Sequence, residues 1–530
     1  MKKYLSRKIC GLFLCAALSL GIVFAHPVSA NAAGLGVVAV NSALIAGSNV
    51  VVNVSCSDFP ASDDNIFYLF AEKVYQNSPS GAPVGSAPMA ASVNLTAPLE
   101  FGTPNNHLYD KFQVAVKAGG AYIGVSNARY ISNPEVLAGG SAPRKNGGKK
   151  GLIVNGMKIA SGENQQLGIQ QACYNILLTD VIGGNNAVPY TYNGQVYTFD
   201  SGQVLQYDHF VNTVSSQGIG ITMVILNPKR AGREYMISPY SRGGACPYYM
   251  MNTSEEKGLQ SLEAAMSFLA ERYNGRNGHG QIDNWIIGNE VNVPGMWNYT
   301  KHMDVNSYAQ LYADELRVCY TAIRSHHPTA YVCTSIDQQW NVITNGSMYT
   351  GRSFLDAMNN CILAQGNFDW GLAQHPYNHP LTWTPFWTPM NARTAGAAQH
   401  SIDTRYITIE NIEQLTDYMC LPNMRNTQGG VRPILLSEIG YTDSQGAEKQ
   451  AAAVVFAYQR CMTNKYITLM AYNCQTDLAA EIAQGLAEGL ENPAGVKKQA
   501  WYWYQNPGAH IGEAAAVMGI GDWNARMYPR

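Results

Sequence analysis

The sequence contains few charged residues, and neither sign of charge is in strong excess. Lys, Arg, Asp and Glu make up 14% of the 530 residues, and the formal net charge at pH 7 is -2. Proteins that bind nucleic acid usually carry a clustered basic face, which this balance does not favour. We therefore expect no nucleic-acid partner. The 32 tyrosines and 9 tryptophans favour a ligand with polar edges and apolar faces.

The sequence also lacks the usual metal-binding and disulfide patterns. It has 11 cysteines but no Cys-X-X-Cys pair, and it has no His-Glu-X-X-His motif. Cys10 and Cys15 belong to the N-terminal segment, which leaves nine cysteines, an odd number, in the remainder. Such a set favours neither a disulfide framework nor a zinc finger, although one disulfide of unidentified pairing stays open. We predict that the protein uses no metal and no cofactor.

Long apolar runs are absent except at the N-terminus. Residues 1–8 are basic, Ile9–Ala25 is apolar, and small residues follow up to Ala33. This order predicts a secretory signal peptide over residues 1–33, and hence a secreted, extracellular protein. Bulky residues precede Cys15, so we expect no lipid anchor. No later segment reaches the roughly 18 apolar residues of a membrane helix, so no membrane contact is expected after cleavage.

Residues 34–138 show the alternating pattern of an antiparallel sheet. Apolar and polar residues alternate along four segments: Val50–Val54, Ile66–Phe70, Phe112–Val116 and Ala121–Val125. This pattern predicts a small all-β sandwich, which is either a sugar-binding module or a packing or spacer domain. The Gly-rich, basic segment 139–150 predicts a linker.

From residue 151 to residue 530, apolar strands alternate with amphipathic helices. Strands are predicted at Gly151–Val154, Ala172–Leu178, Gly220–Leu226, Trp285–Ile287, Tyr331–Thr334, Trp370–Ala373, Ile434–Leu436 and Thr468–Ala471. Helices are predicted at Glu255–Tyr273, Tyr308–Ser325, Ser353–Leu363 and Ala447–Met462. Eight strand-helix units predict an α/β fold of the (β/α)8, or TIM-barrel, type. A hairpin-like insertion is expected at Tyr190–Phe199.

Two glutamates stand where buried strands of this barrel end. Glu290 follows the fourth strand, and Glu438 follows the seventh. Barrel enzymes carry their catalytic groups at such strand ends, so we expect the two carboxyl groups to share one cleft. Two facing carboxyl groups are the minimum apparatus for breaking a glycosidic bond. The alternative is that both glutamates are helix N-terminal carboxylates that stabilise the helix dipole.

A third motif extends this pattern. His375 and Tyr377 follow the sixth strand, while Asn289 and Glu290 follow the fourth. With the seventh-strand glutamate, this combination resembles clan A of the glycoside hydrolases, the 4/7 superfamily, over about residues 151–506. Within the clan, the chain is similar to the branch of β-xylosidases and α-L-iduronidase, and more closely to an uncharacterised secreted bacterial glycosidase-like family.

The resemblance implies a retaining glycoside hydrolase that cleaves a poly- or oligosaccharide by a two-glutamate double displacement. It implies Glu290 as the general acid/base, Glu438 as the nucleophile, and Asn289 as a contact of the sugar 2-hydroxyl. The Tyr377 hydroxyl would donate to the nucleophile and favour its charged form. His375 is either a substrate contact or a hydrogen-bonded residue of the cleft wall.

The chain departs from the clan pattern at two strand ends. No arginine ends the second strand, where Tyr174, Asn175 and Asp180 stand. Tyr472 ends the eighth strand, where a tryptophan is common in the clan. Because of these departures, the sequence does not identify the subsite that holds the sugar. Tyr472 is a candidate substrate contact.

Flat side chains are frequent in the predicted loops at the barrel mouth. Sugar rings stack their C–H faces on aromatic rings, so Trp297, Trp340 and Trp383 are predicted substrate contacts. Any one of them fits loop packing as well. The same loops contain further aromatic residues: Tyr299, Phe386 and Trp387.

The third loop carries four cationic residues: Lys229, Arg230, Arg233 and Arg242. They predict either pairing with a uronate or sulfated sugar, or ordinary solvated charge. A different class of function is also open, since a non-catalytic carbohydrate-binding protein can use a glycosidase-like barrel. In both cases the expected partner is a carbohydrate, and the sequence sets no oligomeric state.

Overall fold

The computed structural model describes residues 37–140, 142–145, 147–184, 187–346 and 348–530. The predicted signal peptide, residues 1–33, lies outside the described residues. Within the described ranges, no helix is both long enough and apolar enough to cross a membrane. These ranges form a mainly antiparallel sheet followed by a closed barrel.

The N-terminal sheet has seven strands. They are β1 (Val38–Ala46), β2 (Asn49–Cys56), β3 (Ile66–Glu72), β4 (Gly85–Pro88), β5 (Ser92–Pro98), β6 (Lys111–Ala118) and β7 (Ala121–Tyr130), in the order β4-β3-β6-β7-β1-β2-β5. Every second residue of β2 is buried, so one face of this strand packs into a core. The edge strands β4 and β5 also lie against each other, which curls the sheet. A parallel contact between Val38 and Ser126 joins the strands into one order.

Eight parallel strands close into a barrel. The strands of this part of the chain are β8 (Lys150–Ile153), β9 (Gln171–Leu177), the hairpin β10 (Ala187–Tyr192) and β11 (Gln195–Asp200), β12 (Gly220–Leu226), β13 (Asn284–Ile287), β14 (Tyr331–Ile336), β15 (Trp370–Gln374), β16 (Ile434–Ile439) and β17 (Ile467–Tyr472). Without the hairpin, they pair in chain order, and β17 pairs with β8. The (β/α)8 fold predicted from the sequence is confirmed.

Helices surround the barrel and connect its strands. They are α1 (Glu163–Leu167), α2 (Leu178–Val181), α3 (Ser201–Ser216), α4 (Glu256–Arg272), α5 (Val305–His326), α6 (Gly351–Gln365), α7 (Ile412–Met419), α8 (Ala447–Met462), α9 (Ala479–Ile482), α10 (Gln499–Gln505) and α11 (Ile511–Met518). Side-chain caps fix the starts of two long helices. Asp200 accepts a backbone hydrogen bond at the start of α3, and Asp304 does so at the start of α5.

Apolar side chains fill the inside of the barrel. They are Cys173, Ile286, Cys333, Ala373, Leu435, Leu469 and Ala471. Because strand side chains alternate between the two faces, residues two positions further along a strand continue the same inward row. At the mouth, three of these rows end in polar residues: Ser335, His375 and Ser437. The barrel therefore changes from an apolar interior to a polar floor where its strands end.

The N-terminal sheet packs against helices of the barrel. The Tyr109 hydroxyl lies 3.4 Å from Ser267 Oγ on α4. The Arg317 guanidinium of α5 lies 4.6 Å from the ring centre of Tyr130, the last residue of β7. These contacts place the sheet on the outer wall of the barrel. All nine cysteines in the described ranges are free thiols.

Candidate active site

Glu290 lies three residues beyond β13, in a left-handed backbone conformation. Its φ is 39°, a region that residues other than glycine rarely adopt. Its backbone N–H donates to Ser335 Oγ in β14, at 3.2 Å, and this bond helps to hold the conformation. The side chain is 16% exposed, so the carboxyl group reaches the space above the barrel floor.

Glu438 reaches the same space from extended backbone. It is the last residue but one of β16, and its side chain is 31% exposed. The Tyr377 hydroxyl donates a hydrogen bond to Glu438 Oε1 at 2.6 Å. Burial, followed by the negative charge of Glu438, raises the pKa of Tyr377 well above its ordinary value. Tyr377 therefore keeps its proton and remains a hydrogen-bond donor.

His375 follows β15 directly and connects the two glutamates. Its Nδ1 atom lies 2.9 Å from Glu290 Oε1 and 3.8 Å from Glu438 Oε2. Because both distances share one nitrogen atom, the two carboxylate oxygens are separated by at most the sum of these distances, about 6.7 Å. The barrel thus brings together two glutamates that are 148 positions apart in the sequence.

The second ring nitrogen of His375 faces two hydroxyl groups. Nε2 lies 3.1 Å from Ser437 Oγ and 3.5 Å from Ser335 Oγ. We assign Nε2 as the donor to Ser437, which leaves Nδ1 to exchange a proton with the carboxyl groups. Burial alone lowers the pKa of His375, but the charge of Glu438 and the hydrogen bond to Glu290 raise it above its ordinary value.

Asn289 and Asp337 border Glu290. Asn289 is half-buried and directly precedes Glu290. Asp337 follows β14 and accepts hydrogen bonds from Asn292 at 2.8 Å and from Gln339 at 2.6 Å. Burial, followed by the charge of Glu290, raises the pKa of Asp337 to about 6. One oxygen accepts from Asn292 in the loop that carries Glu290, and the other accepts from Gln339 in the loop of Asp337 itself, so Asp337 connects the two loops.

Two of the predicted aromatic contacts, Trp297 and Trp383, are half-buried in loops beyond the strand ends. The Trp297 ring stacks on Tyr248, with ring centres 6.3 Å apart. Trp383 lines a cavity of about 140 Å³ together with Phe386 and Trp387. Both tryptophans keep part of their surface accessible to a ligand.

The structure does not support Trp340 and Tyr472 as substrate contacts, because both side chains are buried. Trp340 is 1% exposed, and its indole N–H donates to the Ile402 carbonyl at 3.0 Å. Tyr472 is 0% exposed, and its hydroxyl donates to the Glu488 carbonyl at 2.8 Å. The two side chains anchor loops from below, and a sugar cannot reach either ring.

The cationic residues of the third loop do not form one anion site. Arg230 pairs with Asp180, and Arg242 pairs with Glu255. Arg233 donates to a backbone carbonyl of α2. Because these three guanidinium groups are bound to different parts of the protein, the structure does not support the predicted pairing with an acidic sugar.

Four polar residues of the site are not predicted from the sequence: Ser335, Ser437, Asn473 and Glu488. Ser437 carries a usable signal, since it directly precedes Glu438 in the same strand. Asn473 directly follows β17, and its Nδ2 atom donates to Tyr377 Oη at 2.9 Å and to Glu488 Oε2 at 3.2 Å. Glu488 lies in the long loop beyond α9, where no spacing rule singles it out.

Several solved structures are similar to this chain at low sequence identity. A family 39 glycoside hydrolase from Bacteroides cellulosilyticus WH2 is 13% identical, with a TM-score of 0.45, and the match covers 84% of this chain and 78% of that one. A GH5_18 protein from Bifidobacterium longum subsp. longum ATCC 55813 is 12% identical, with a TM-score of 0.43 and coverages of 69% and 79%. The exo-β-1,4-mannosidase Op5Man5 from Opitutaceae bacterium strain TAV5 is 15% identical, with a TM-score of 0.39 and coverages of 72% and 60%.

At such TM-scores and identities, the activity of this chain has to be argued from its own side chains. No curated protein shows a significant match to the sequence. One family model matches residues 142–526, which include every barrel strand and both glutamates. The chain therefore belongs to the family that this model describes, the family of unknown function DUF5722.

Proposed function

We propose that this protein is a secreted retaining glycoside hydrolase that cleaves an O-glycosidic bond of a poly- or oligosaccharide. The observation that carries the proposal is the pair Glu290 and Glu438, held within about 6.7 Å of each other by contacts to one nitrogen of His375. In retaining enzymes the two carboxyl groups are about 5 to 5.5 Å apart, whereas inverting enzymes leave roughly 6.5 to 9.5 Å for a water molecule. An upper limit of about 6.7 Å therefore favours the retaining spacing.

In the first step, a Glu438 oxygen attacks the anomeric carbon, and the bond from that carbon to the leaving oxygen breaks. Glu290 gives its proton to the leaving oxygen, so the departing sugar leaves as an alcohol. The product on the protein is a glycosyl ester of Glu438. Tyr377 suits Glu438 to this role, because its hydroxyl donates a short hydrogen bond to the carboxylate form.

In the second step, a water molecule attacks the same anomeric carbon and the ester bond breaks. Glu290, now ionised, takes a proton from that water and returns to its starting form. His375 suits Glu290 to both steps, because a neutral imidazole at Nδ1 can accept a hydrogen bond from the carboxylic acid, and a protonated one can donate to the carboxylate. The anomeric configuration is inverted twice and is therefore retained.

We propose that the sugar next to Glu438 carries no negative charge. Burial, followed by the charge of Glu438, raises the pKa of Glu481 to about 7. A uronate carboxylate in this region would be repelled by Glu438 and by the ionised fraction of Glu481. Asn289 and the half-buried Trp297 and Trp383 offer an uncharged sugar the polar and aromatic contacts it needs.

Secretion is part of the proposal and rests on the sequence of residues 1–33. Export of the full-length chain, followed by N-terminal sequencing of the released protein, tests it. We expect a mature N-terminus close to residue 34. Retention of residues 1–33 on an intracellular protein would contradict it.

The activity is tested by a screen of chromogenic glycosides and of plant and microbial polysaccharides, with NMR of the first-formed anomer on any substrate that is cleaved. We expect a product of retained configuration, and we expect Glu290→Gln and Glu438→Gln to abolish turnover. Glu513→Gln, an exposed residue of α11, is the matched control and should behave as the unaltered protein.

Binding of an oligosaccharide without any cleavage would favour the non-catalytic alternative. A first-formed product of inverted configuration would instead contradict the double displacement. The two outcomes separate failure of the activity from failure of the mechanism.

A further inference from the structure

A chain of hydrogen bonds leads from the half-exposed Glu438 into the loop beyond β17, and its last two members are buried. Tyr377 Oη donates to Glu438 Oε1, Asn473 Nδ2 donates to Tyr377 Oη, and the same Nδ2 atom donates to Glu488 Oε2. The lengths are 2.6, 2.9 and 3.2 Å in that order. Three residues from two loops and a strand end are thus connected behind the proposed nucleophile.

The donors and acceptors of this chain have a fixed direction. An amide nitrogen can only donate, so the Tyr377 oxygen must accept the hydrogen bond from Asn473. A tyrosine hydroxyl has one proton, and its oxygen is already engaged as an acceptor. That proton is therefore committed to Glu438. If the Asn473 amide were rotated, its oxygen would compete with Glu438 for the Tyr377 proton.

Glu488 selects the amide orientation of Asn473. Its side chain is buried, and the residue is 2% exposed. The Oε2 atom accepts one of the two Nδ2 hydrogens of Asn473, while Tyr377 accepts the other. With the amide rotated, two oxygen atoms would face each other at Glu488, unless the acid turned its own proton toward Asn473. Burial, followed by the charges of Glu481 and Glu438, raises the pKa of Glu488 well above its ordinary value.

The backbone around Glu488 is built to hold this position. The Glu488 carbonyl accepts hydrogen bonds from the buried Tyr472 hydroxyl at 2.8 Å and from Gln450 Nε2 at 3.1 Å. Gly440, two positions after Glu438, leaves room for the carboxyl group. A Cβ atom at Gly440 would lie 2.3 Å from Glu488 Oε2, closer than any real contact. The buried Tyr472 thus helps to fix Glu488, and through it the hydrogen bonds behind the proposed nucleophile.

We propose that Asn473 and Glu488 are positioning residues that direct the Tyr377 proton onto Glu438, and so hold the nucleophile charged and correctly oriented. The inference rests on the proposed function for its catalytic meaning. The hydrogen-bond direction itself does not depend on activity. Neither residue is expected to touch the substrate.

The informative variant is Asn473→Asp, which keeps the shape of the side chain but replaces its donor by an acceptor. We expect kcat to fall by about 10- to 100-fold, as for other lost hydrogen bonds to charged groups, with KM changed by less than about 3-fold. Tyr377→Phe should cause a similar loss. Asn423→Asp, an exposed residue outside the site, is the matched control and should leave kcat and KM as they are.

The double variant Tyr377→Phe/Asn473→Asp tests whether Asn473 acts through Tyr377. If it does, the double variant is about as active as Tyr377→Phe alone, because the second change has nothing left to remove. Losses that multiply in the double variant would overturn the proposal. Glu488→Leu should reproduce most of the Asn473→Asp loss, whereas Glu488→Gln, which keeps an acceptor oxygen, should lose clearly less. Equal losses in the two Glu488 variants would also overturn it.

A readout without catalysis keeps the inference separate from the proposed function. Protein labelled with ¹³C at the glutamate carboxyl carbon gives a Glu438 signal that Glu438→Gln removes. We expect the chemical shift of this signal to change in Asn473→Asp, in Glu488→Leu and in Tyr377→Phe, and to stay as in the unaltered protein in Asn423→Asp, with circular dichroism confirming that each variant is folded. An unchanged chemical shift in Asn473→Asp would refute the relay even if no glycoside is ever cleaved.

Discussion

The two sides of the cleft surround identical side chains with different partners. On the side of β13 and β14, Glu290 has a left-handed backbone conformation and is hydrogen-bonded to His375, whose other ring nitrogen contacts Ser437 of the barrel floor. On the side of β16 and β17, Glu438 sits in a strand and accepts a hydrogen bond from Tyr377. Glu290 is therefore hydrogen-bonded to a group that takes and returns protons, whereas Glu438 is hydrogen-bonded to a group that only donates and lies 3.8 Å from His375 Nδ1.

In the proposed mechanism, this difference explains how two glutamates acquire two roles. Imidazole changes its protonation in the range where a general acid must work, so it can follow Glu290 through both states. Tyr377, with its raised pKa, stays neutral and favours the charged form of Glu438 throughout. The proposed assignment of acid and nucleophile is thus supported by the partners of each carboxyl group, independently of the order of the strands.

The largest expected effect comes from removing either carboxyl group and supplying azide. We expect Glu438→Ala and Glu290→Ala each to lose activity by orders of magnitude on an aryl glycoside. In Glu438→Ala, azide should enter the vacated space and give a glycosyl azide of inverted configuration. In Glu290→Ala, azide should attack the glycosyl ester of Glu438 and give a product of retained configuration. NMR of the two azides measures the difference.

The opposite pair of configurations would mean that Glu290 is the nucleophile and Glu438 the acid/base, contrary to the proposed assignment. Identical configurations from both variants would show that the two sides are not functionally distinct. Formation of each azide in the unaltered protein provides the background.

A smaller effect is expected on the alkaline limb of the pH profile of kcat/KM. The pKa of His375 is raised, so its pair with Glu290 keeps the shared proton to a higher pH than an ordinary imidazole would, and activity falls as the pH rises through that value. In His375→Gln, a carboxyl group alone holds that proton, and carboxyl groups ordinarily ionise below imidazole. We expect the alkaline limb of His375→Gln to move to lower pH.

Tyr377→Phe is the matched change on the other side of the cleft. Without the donated hydrogen bond, the charged nucleophile loses a stabilising contact, so kcat should fall while the alkaline limb stays in place. Movement of the same limb in both variants would contradict separate roles for the two sides.

The smallest effect is expected from the two serines beside His375 Nε2. Ser437→Ala removes the nearer hydroxyl and should lower kcat by about 2- to 10-fold, the range of a neutral hydrogen bond. Ser335→Ala also removes the acceptor of the Glu290 backbone N–H, so it should lower the melting temperature more than Ser437→Ala does. Thermal unfolding and kinetics on the two variants check this. A larger fall in melting temperature for Ser437→Ala would contradict it.

Much of the barrel is predictable from its sequence, because buried strands and amphipathic helices leave periodic patterns. Gly220–Leu226 and Ala447–Met462 have the predicted bounds at both ends. The N-terminal sheet is predicted less completely. Its alternation predicts four of the strands, but the parallel contact between Val38 and Ser126 depends on how distant strands meet.

The polar site is predictable only where a residue type is unusual for its position. Glu290 and Glu438 stand out because a carboxyl group at the end of a buried strand needs a reason. The predictions of Trp340 and Tyr472 as substrate contacts are wrong, because an aromatic residue at or beyond a strand end fits a ligand surface and a buried anchor equally well. Glu488 leaves no local signal, since its role depends on a glycine 48 positions earlier in the sequence.

The left-handed backbone at Glu290 has a consequence for how this barrel balances folding against chemistry. A residue with a Cβ atom costs about 1 kcal/mol or more in that conformation relative to glycine. Glu290→Gly would therefore relax the loop and raise the melting temperature while removing the proton donor. The corresponding change in β16, Glu438→Gly, would only weaken the strand and lower the melting temperature. The protein thus gives up thermodynamic stability at Glu290, the residue whose proton is lost and regained in every turnover of the proposed mechanism.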